Sequence, residues 1–150
     1  MKNSLLLPLL AAAVAVCACS SLGLGGGSSS SSAGGNRTEN LTASSQLPAA
    51  EGQVKFAPTK NGNTSVDVSV KHLAHPERLN PPASTYVVWI QRAADAAPQN
   101  IGALKVDDQL NGELRTVTPL GAFDLFVTAE PNGQAEKPTG QKLLTASYKG

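Results

Sequence analysis

Strict alternation of apolar and polar side chains is clearest between residues 65 and 71. Val66, Val68 and Val70 alternate there with serine, aspartate and lysine. Successive side chains of a strand point to opposite faces, so this period of two predicts a half-buried strand. Val68, at its centre, is expected in the hydrophobic core.

Six further segments have strand patterns. The segment TYVVWIQR at residues 85–92 is the richest in β-branched and aromatic side chains and is apolar on both faces, which is typical of a central strand. The other strands are predicted at residues 53–57, 100–107, 113–118, 123–130 and 142–148. Asn61-Gly62 and Asn111-Gly112 predict tight hairpin turns.

The short, regular spacing of these segments, without a helical period, predicts an all-β fold. We expect a single Ig-like antiparallel β-sandwich of about seven strands. The proline-broken residues 72–84 are expected to cross between its sheets. The expected core includes the only tryptophan and five other side chains: Trp89, Tyr86, Val68, Phe123, Leu125 and Val127.

The first residues have the pattern of a secretory leader. Lys2 precedes an apolar run of about a dozen residues, which is shorter than the roughly 20 residues of a membrane-spanning helix. The run ends in Val16-Cys17-Ala18-Cys19, which resembles the bacterial lipobox, in which a small residue precedes the cysteine that is lipidated. We therefore expect cleavage after Ala18 and attachment of a fatty acid such as palmitate to Cys19, with an ordinary secretory cleavage as the alternative.

Glycine and serine dominate the next segment, which includes a serine tract at residues 28–32. Such a composition has few apolar side chains to bury and predicts a flexible tether. The expected organisation is a signal peptide at residues 1–18, a lipidated cysteine and linker at residues 19–50, and a folded domain at residues 51–150. The expected location is the bacterial cell envelope outside the cytoplasm, in the outer membrane where the cell has two.

The composition argues against several classes of function. A net charge of +1 gives no basic surface for nucleic acid. Both cysteines lie in the leader, so the domain has no disulfide and no thiolate chemistry. The sequence contains no phosphate-binding loop and no dinucleotide fingerprint, so no cofactor is expected.

The strongest candidates for a metal site are His72, His75 and Glu77. Two imidazoles and a carboxylate at this spacing can bind zinc or copper on a helical turn. Pro76 opposes this arrangement, because it favours an extended conformation at His75. Solvent-exposed loop histidines are the favoured interpretation. With only these two histidines and no Gly-x-Ser-x-Gly motif, we do not expect an enzyme.

Several motifs of the second half occur together. Tyr86 and Trp89 are followed by the sequence NIGAL at residues 100–104, FDLFVTAEP at 123–131 and PTG at 138–140. Together they resemble the extracytoplasmic domain of anti-sigma-K type regulators over residues 85–150. The resemblance implies an extracytoplasmic β-sandwich. It does not imply sigma-factor binding, because those regulators use a cytoplasmic helical region and a transmembrane helix, and this sequence predicts neither.

These patterns favour a non-enzymatic lipoprotein that displays a binding or structural module. Its partners would be the membrane, through Cys19, and another envelope protein, contacted by loops at residues 72–84, 93–98 and 131–140. The alternative is a sensory or accessory domain of an envelope stress-response system.

Overall fold

A computed structural model describes residues 35–150, which form eight strands. The strands are β1 Arg37–Ala43, β2 Glu51–Pro58, β3 Thr64–Lys71, β4 Thr85–Gln91, β5 Gln99–Val106, β6 Gly112–Thr118, β7 Ala122–Glu130 and β8 Lys142–Lys149. A short 3-10 helix, Pro76–Arg78, lies between β3 and β4. The predicted signal peptide, Cys19 and the glycine- and serine-rich residues up to 34 lie outside the described residues.

All neighbouring strands are antiparallel, and they follow the order β1-β2-β3-β6-β5-β4-β7-β8 before β8 returns to β1. The all-β antiparallel prediction is confirmed, but the strands close into a barrel instead of forming a separate two-sheet sandwich. Closure comes from two strands that change partners. Strand β1 pairs first with β2 and then with β8, and β5 pairs first with β4 and then with β6.

Strand β1 occupies residues that their composition assigns to the tether. Leu41 is its one buried side chain, so its sequence has no alternating apolar pattern. Leu41 packs above Gly52 of β2, where an added Cβ would lie 2.6 Å from Leu41 Cδ1. Leu47 and Ala50 in the following loop are buried as well. The sequence predicted that the folded domain begins at residue 51. In the structure it begins earlier in the chain, with β1.

The seven predicted strands agree with β2 to β8 within about two residues at each end. The Asn61-Gly62 turn is also confirmed, with Gly62 at a φ of 76°. The prediction of a turn at Asn111-Gly112 is wrong, because Gly112 belongs to β6 and packs against Leu104. The turn instead spans residues 107–111 and places Leu110 at a φ of 63°.

The barrel interior is filled by apolar side chains from all eight strands. Val68, Leu125 and Val127 lie there, and an aromatic cluster occupies one end. Phe56 stacks on Tyr148 with ring centroids 4.4 Å apart, and Phe123 meets the edge of Phe56 at 5.7 Å. Because β2, β7 and β8 each contribute one ring, this cluster ties together strands that are distant in sequence.

The two ends of the barrel differ. One end, called here the loop end, carries residues 44–50, 72–84, 107–111 and 131–141. The opposite end, called the entry end, carries residues 59–63, 92–98 and 119–121 together with the start of β1. Strand β4 runs from the loop end, where Thr85 pairs with Glu130, to the entry end, where Gln91 pairs with Asp124. No helix within residues 35–150 combines the length and hydropathy needed to cross a membrane.

Candidate functional site

A buried carboxylate organises the loop end. Glu130 is the last residue of β7, and its side chain is 0% exposed although it points away from the barrel interior. The carboxylate accepts hydrogen bonds from the Thr128 hydroxyl at 2.5 Å, the Thr139 N–H at 2.9 Å and the Gly140 N–H at 3.2 Å. It also accepts one from the Thr139 hydroxyl. Every donor but Thr128 belongs to residues 131–141, called here the strap.

These contacts determine the ionisation of Glu130. Burial alone raises the pKa of the carboxyl group, since desolvation disfavours the charged form. The hydroxyls of Thr128 and Thr139 and the two backbone N–H groups stabilise the carboxylate, and together they lower its pKa below the usual 4.5. Glu130 is therefore ionised at neutral pH and holds the strap as a charged acceptor.

Asn100 of β5 fastens the strap from the other side. Its Nδ2 donates to the carbonyls of Gly133 at 3.0 Å and Ala135 at 2.9 Å, while its Oδ1 accepts from the Gly102 N–H at 2.9 Å. The side chain can bridge strand and strap because an amide both donates and accepts. The strap is thus held at its beginning by Asn100 and at its end by Glu130.

Between these two anchors the strap covers a small apolar cluster on the outside of the barrel. Val87, Trp89 and Phe126 are buried there, with Ala135 of the strap packed on them. The indole N–H of Trp89 donates to the Thr128 hydroxyl at 2.8 Å, and Thr128 in turn donates to Glu130. This cover explains why β4 is apolar on both faces. Trp89 belongs to the outer cluster, whereas Tyr86 of the same strand packs in the interior.

Gly140 allows the strap to approach β7 closely. A Cβ at this position would overlap the carbonyl oxygen of Ala129. The Pro-Thr-Gly sequence at residues 138–140 therefore has a structural explanation: Thr139 supplies two donors to Glu130, and Gly140 supplies a third while lying against the strand.

The connection at residues 72–84 is also tied to the barrel. The Tyr86 hydroxyl donates to the Ala74 carbonyl at 2.7 Å, and desolvation by burial raises the pKa of Tyr86 to about 12. Buried Leu73 donates its N–H to Leu110 in the neighbouring turn at 2.9 Å. Ser84 donates to the Glu130 carbonyl at 3.0 Å, so this connection and the strap meet at the same residue.

The structure places the metal candidates on this connection. His72 is exposed at a φ of 54°, His75 precedes the 3-10 helix with an extended ψ of 135°, and Glu77 is exposed. The extended backbone at His75 agrees with the effect expected of Pro76. Within residues 35–150, no three His, Cys, Asp or Glu side chains come together as a set of metal ligands.

His75 does lie near Asp107 of the neighbouring turn. The pKa of Asp107 is lowered, first by the Asn111 N–H and then by further hydrogen bonds, and the charge of His75 lowers it further. The hydrogen bonds to Asn111 and Gln109 give Asp107 a structural role in closing the turn.

A shallow groove separates the strap from residues 79–81. Its volume is about 270 Å³. Its lining contains hydrogen-bonding side chains from Gln46, Asn80, Thr139 and Gln141, with Leu79, Pro81, Ala129 and Leu143 as apolar surface. Two of the three predicted contact loops therefore meet here. The third, residues 93–98, lies at the entry end, because it joins the far ends of β4 and β5.

No protein-family model matches the chain, and the curated proteins contain no significant match to it.

Sequence reasoning missed the anchoring roles of Asn100, Glu130 and Thr139. The sequence contained one indication that these three residues matter: the motifs NIGAL, Thr-Ala-Glu-Pro and Pro-Thr-Gly each contain one of them. Their convergence on one strap was not visible in the sequence, because Asn100 lies 33 and 35 positions from the strap carbonyls to which it donates.

Proposed function

We propose that this chain is a lipid-anchored protein of the bacterial envelope whose β-domain is a binding module with the role of an Ig-like domain. One observation carries the proposal: the loop end, with its groove and fastened loops, lies opposite the end at which the chain enters the barrel. A module tethered at its entry end leaves the loop end accessible to a partner.

The groove chemistry supports binding in preference to catalysis. Its hydrogen-bonding side chains are three amides and one hydroxyl, and none of them titrates near neutral pH. Glu130 lies behind the groove with all of its donors supplied by the protein itself. Because the strap is fastened by partly buried hydrogen bonds to Asn100 and Glu130, the groove wall is preorganised, which reduces the entropy cost of binding.

The anchor part of the proposal rests on the lipobox resemblance at Cys19. The tether predicted from the glycine- and serine-rich composition, counted over about 17 residues before β1, would have a mean span of roughly 20 to 25 Å. This span would keep the barrel close to a membrane. Serine follows Cys19, which resembles cargo sorted to the outer membrane where two membranes exist.

Metabolic labelling tests the anchor. Cells expressing the full chain are grown with an alkyne-tagged fatty acid, and we expect label on the wild-type protein and none on Cys19→Ala. Globomycin should leave the wild-type precursor unprocessed. Label retained by Cys19→Ala would contradict the assignment.

Site-specific photocrosslinking in intact cells tests the binding surface. Crosslinkers at the exposed positions Asn80 and Gln141 of the loop end are compared with crosslinkers at Lys60 and Asp95 of the entry end. We expect the same partner band from both loop-end positions and from neither entry-end position. Crosslinks from the entry end alone would contradict a loop-end interface.

A sensory or accessory role in an envelope stress response is the second candidate. It is supported by the position of the motifs that resemble those of anti-sigma-K type regulators, since their residues Asn100, Glu130, Thr139 and Gly140 all contact or belong to the strap. A sigma factor or sensor kinase encoded beside this chain, and an altered stress response on its deletion, would favour this role. Deletion without any change in that response would exclude it.

A further inference from the structure

The barrel is closed by only two residue pairs at two places, between β5 and β6 and between β1 and β8. The pairs between β1 and β8 are Thr42 with Thr145 and Ala43 with Leu144. Residues 37–41 of β1 pair with β2 alone, and residues 146–149 of β8 pair with β7 alone. Each strand therefore presents an unpaired edge to the other, and such edges are templates for a further strand. We call this gap the seam.

Side chains of β1 bridge the seam where backbone pairing stops. Arg37 and Glu39 stand opposite Phe56 and Val54 of β2, which is the interior side of the barrel. Their side chains are nevertheless 43% and 34% exposed, because β8 has diverged from β1 at this level. They form an ion pair of 2.5 Å, and Arg37 Nη1 donates to the Lys149 carbonyl at 3.0 Å.

The seam opens as a groove of about 570 Å³. Its lining includes the carboxylates of Glu39 and Asp124 and the amines of Lys142 and Lys149. Glu39 is paired with Arg37, and Asp124 accepts a hydrogen bond of 2.6 Å from the Ser147 hydroxyl. Among the described residues the ion pairs are Arg37–Glu39 and Arg115–Asp67, so neither lysine has a carboxylate partner there. Lys142 Nζ lies 4.2 Å from the centroid of the Phe126 ring.

We propose that the seam binds an extended acidic peptide segment of a partner protein, which pairs through its main chain with the free edge of β8. The peptide displaces the Arg37–Glu39 pair from the gap, and its carboxylates contact Lys142 and Lys149. The unpaired edge of β8, residues 146–149, is about 13 Å long at roughly 3.3 Å per residue, so about four residues of the peptide pair with it. The residues that follow in the peptide reach towards Lys142 at the other end of β8. Main-chain pairing supplies affinity and the lysines select an acidic sequence.

This interface is separate from the groove at the loop end and does not depend on it. Fluorescence anisotropy on the detergent-solubilised full chain tests it with a labelled octapeptide of alternating glutamate and valine. We expect saturable binding, and at least about tenfold weaker binding of the matching lysine–valine peptide. Lys142→Gln combined with Lys149→Gln should weaken binding of the acidic peptide about three- to tenfold. Lys60→Gln combined with Lys105→Gln, which removes the same charge outside the groove, should leave it unchanged.

A second pair of probes separates strand pairing from charge attraction. The same acidic peptide is N-methylated on every second residue, in either register, which keeps its charge and removes hydrogen-bond donors from one edge. We expect at least one register to lose binding. Equal binding of both methylated peptides, or no saturation at millimolar acidic peptide, would overturn the proposal. The melting temperature of each variant verifies that its barrel is intact.

Discussion

The barrel interior and the cluster beneath the strap are both fully buried, yet they are held in different ways. The interior has 20 buried residues, contributed by every strand except β6 and by adjoining loops, and β6 adds the partly buried Leu114. The outer cluster has three, Val87, Trp89 and Phe126, and its cover is fastened by hydrogen bonds to Glu130 and Asn100. The interior is stabilised by redundant apolar packing, whereas the outer cluster depends on a few polar contacts. We therefore expect damage to the interior to unfold the whole domain, and damage to the anchors to release the strap first.

The largest expected effect is in the interior. Phe56→Ala removes a ring that stacks on Tyr148 and meets Phe123, and we expect a loss of about 3–5 kcal/mol in the free energy of unfolding. Chemical denaturation measures it. Val117→Ala is the control, because Val117 is 53% exposed and its truncation should change stability by less than about 0.5 kcal/mol. A Phe56→Ala protein as stable as that control would contradict the packing of this end.

The next effect is expected from a substitution that removes the charge of Glu130, the residue that holds the end of the strap. Glu130→Gln turns an acceptor-only group into an amide whose NH₂ faces partly buried N–H donors of the strap, and we expect a loss of about 1–2 kcal/mol in the free energy that holds the strap. Because Trp89 lies under the strap and is the only tryptophan, its emission should shift to longer wavelength and become accessible to a quencher. Circular dichroism should still show the β-barrel. If the circular dichroism signal of the strands were lost when the tryptophan emission shifts, strap and barrel would be one cooperative unit.

A steric change tests the close approach of the strap. Gly140→Ala forces a methyl group against the Ala129 carbonyl, and we expect a loss of about 1–3 kcal/mol with greater quenching of Trp89. Gly121→Ala is the matched control, because no atom lies within 4 Å of an added Cβ there. Equal melting temperatures for the two variants would argue against a strap packed directly on β7.

The smallest effect is reversible and follows from the pKa of Glu130. Because that pKa is lowered from 4.5, the carboxylate contributes stability above pH 4.5, and this contribution is lost as the pH falls through the lower folded-state value. Trp89 emission should therefore be constant from neutral pH to about 5 and change only in more acidic solution. In Glu130→Gln this component of the titration should be absent. A transition near neutral pH in the wild-type protein would contradict an ionised, hydrogen-bonded carboxylate.

Part of the candidate site was visible in the sequence and part was not. The apolar character of residues 85–92 on both faces predicted a central strand, and residues 131–140 were predicted to form a loop. The sequence did not reveal that this loop is the cover of that strand. The hairpin at Asn111-Gly112 was misjudged for a related reason. Asp107 closes a turn that ends at Asn111, and Gly112 already lies in β6 beside the Leu104 side chain.

Local patterning alone determined that this domain is all-β and where seven of its strands lie, because alternation and turn residues act over a few positions. Tertiary structure decided the closure of the barrel, the strand at residues 37–43 and the partners of the polar anchors. Strand β1 has too few apolar side chains to be recognised, and it is ordered because β2 and β8 supply backbone partners from distant parts of the chain. The same holds for Glu130, whose burial is favourable only because donors nine and ten positions along the chain fold back to meet it.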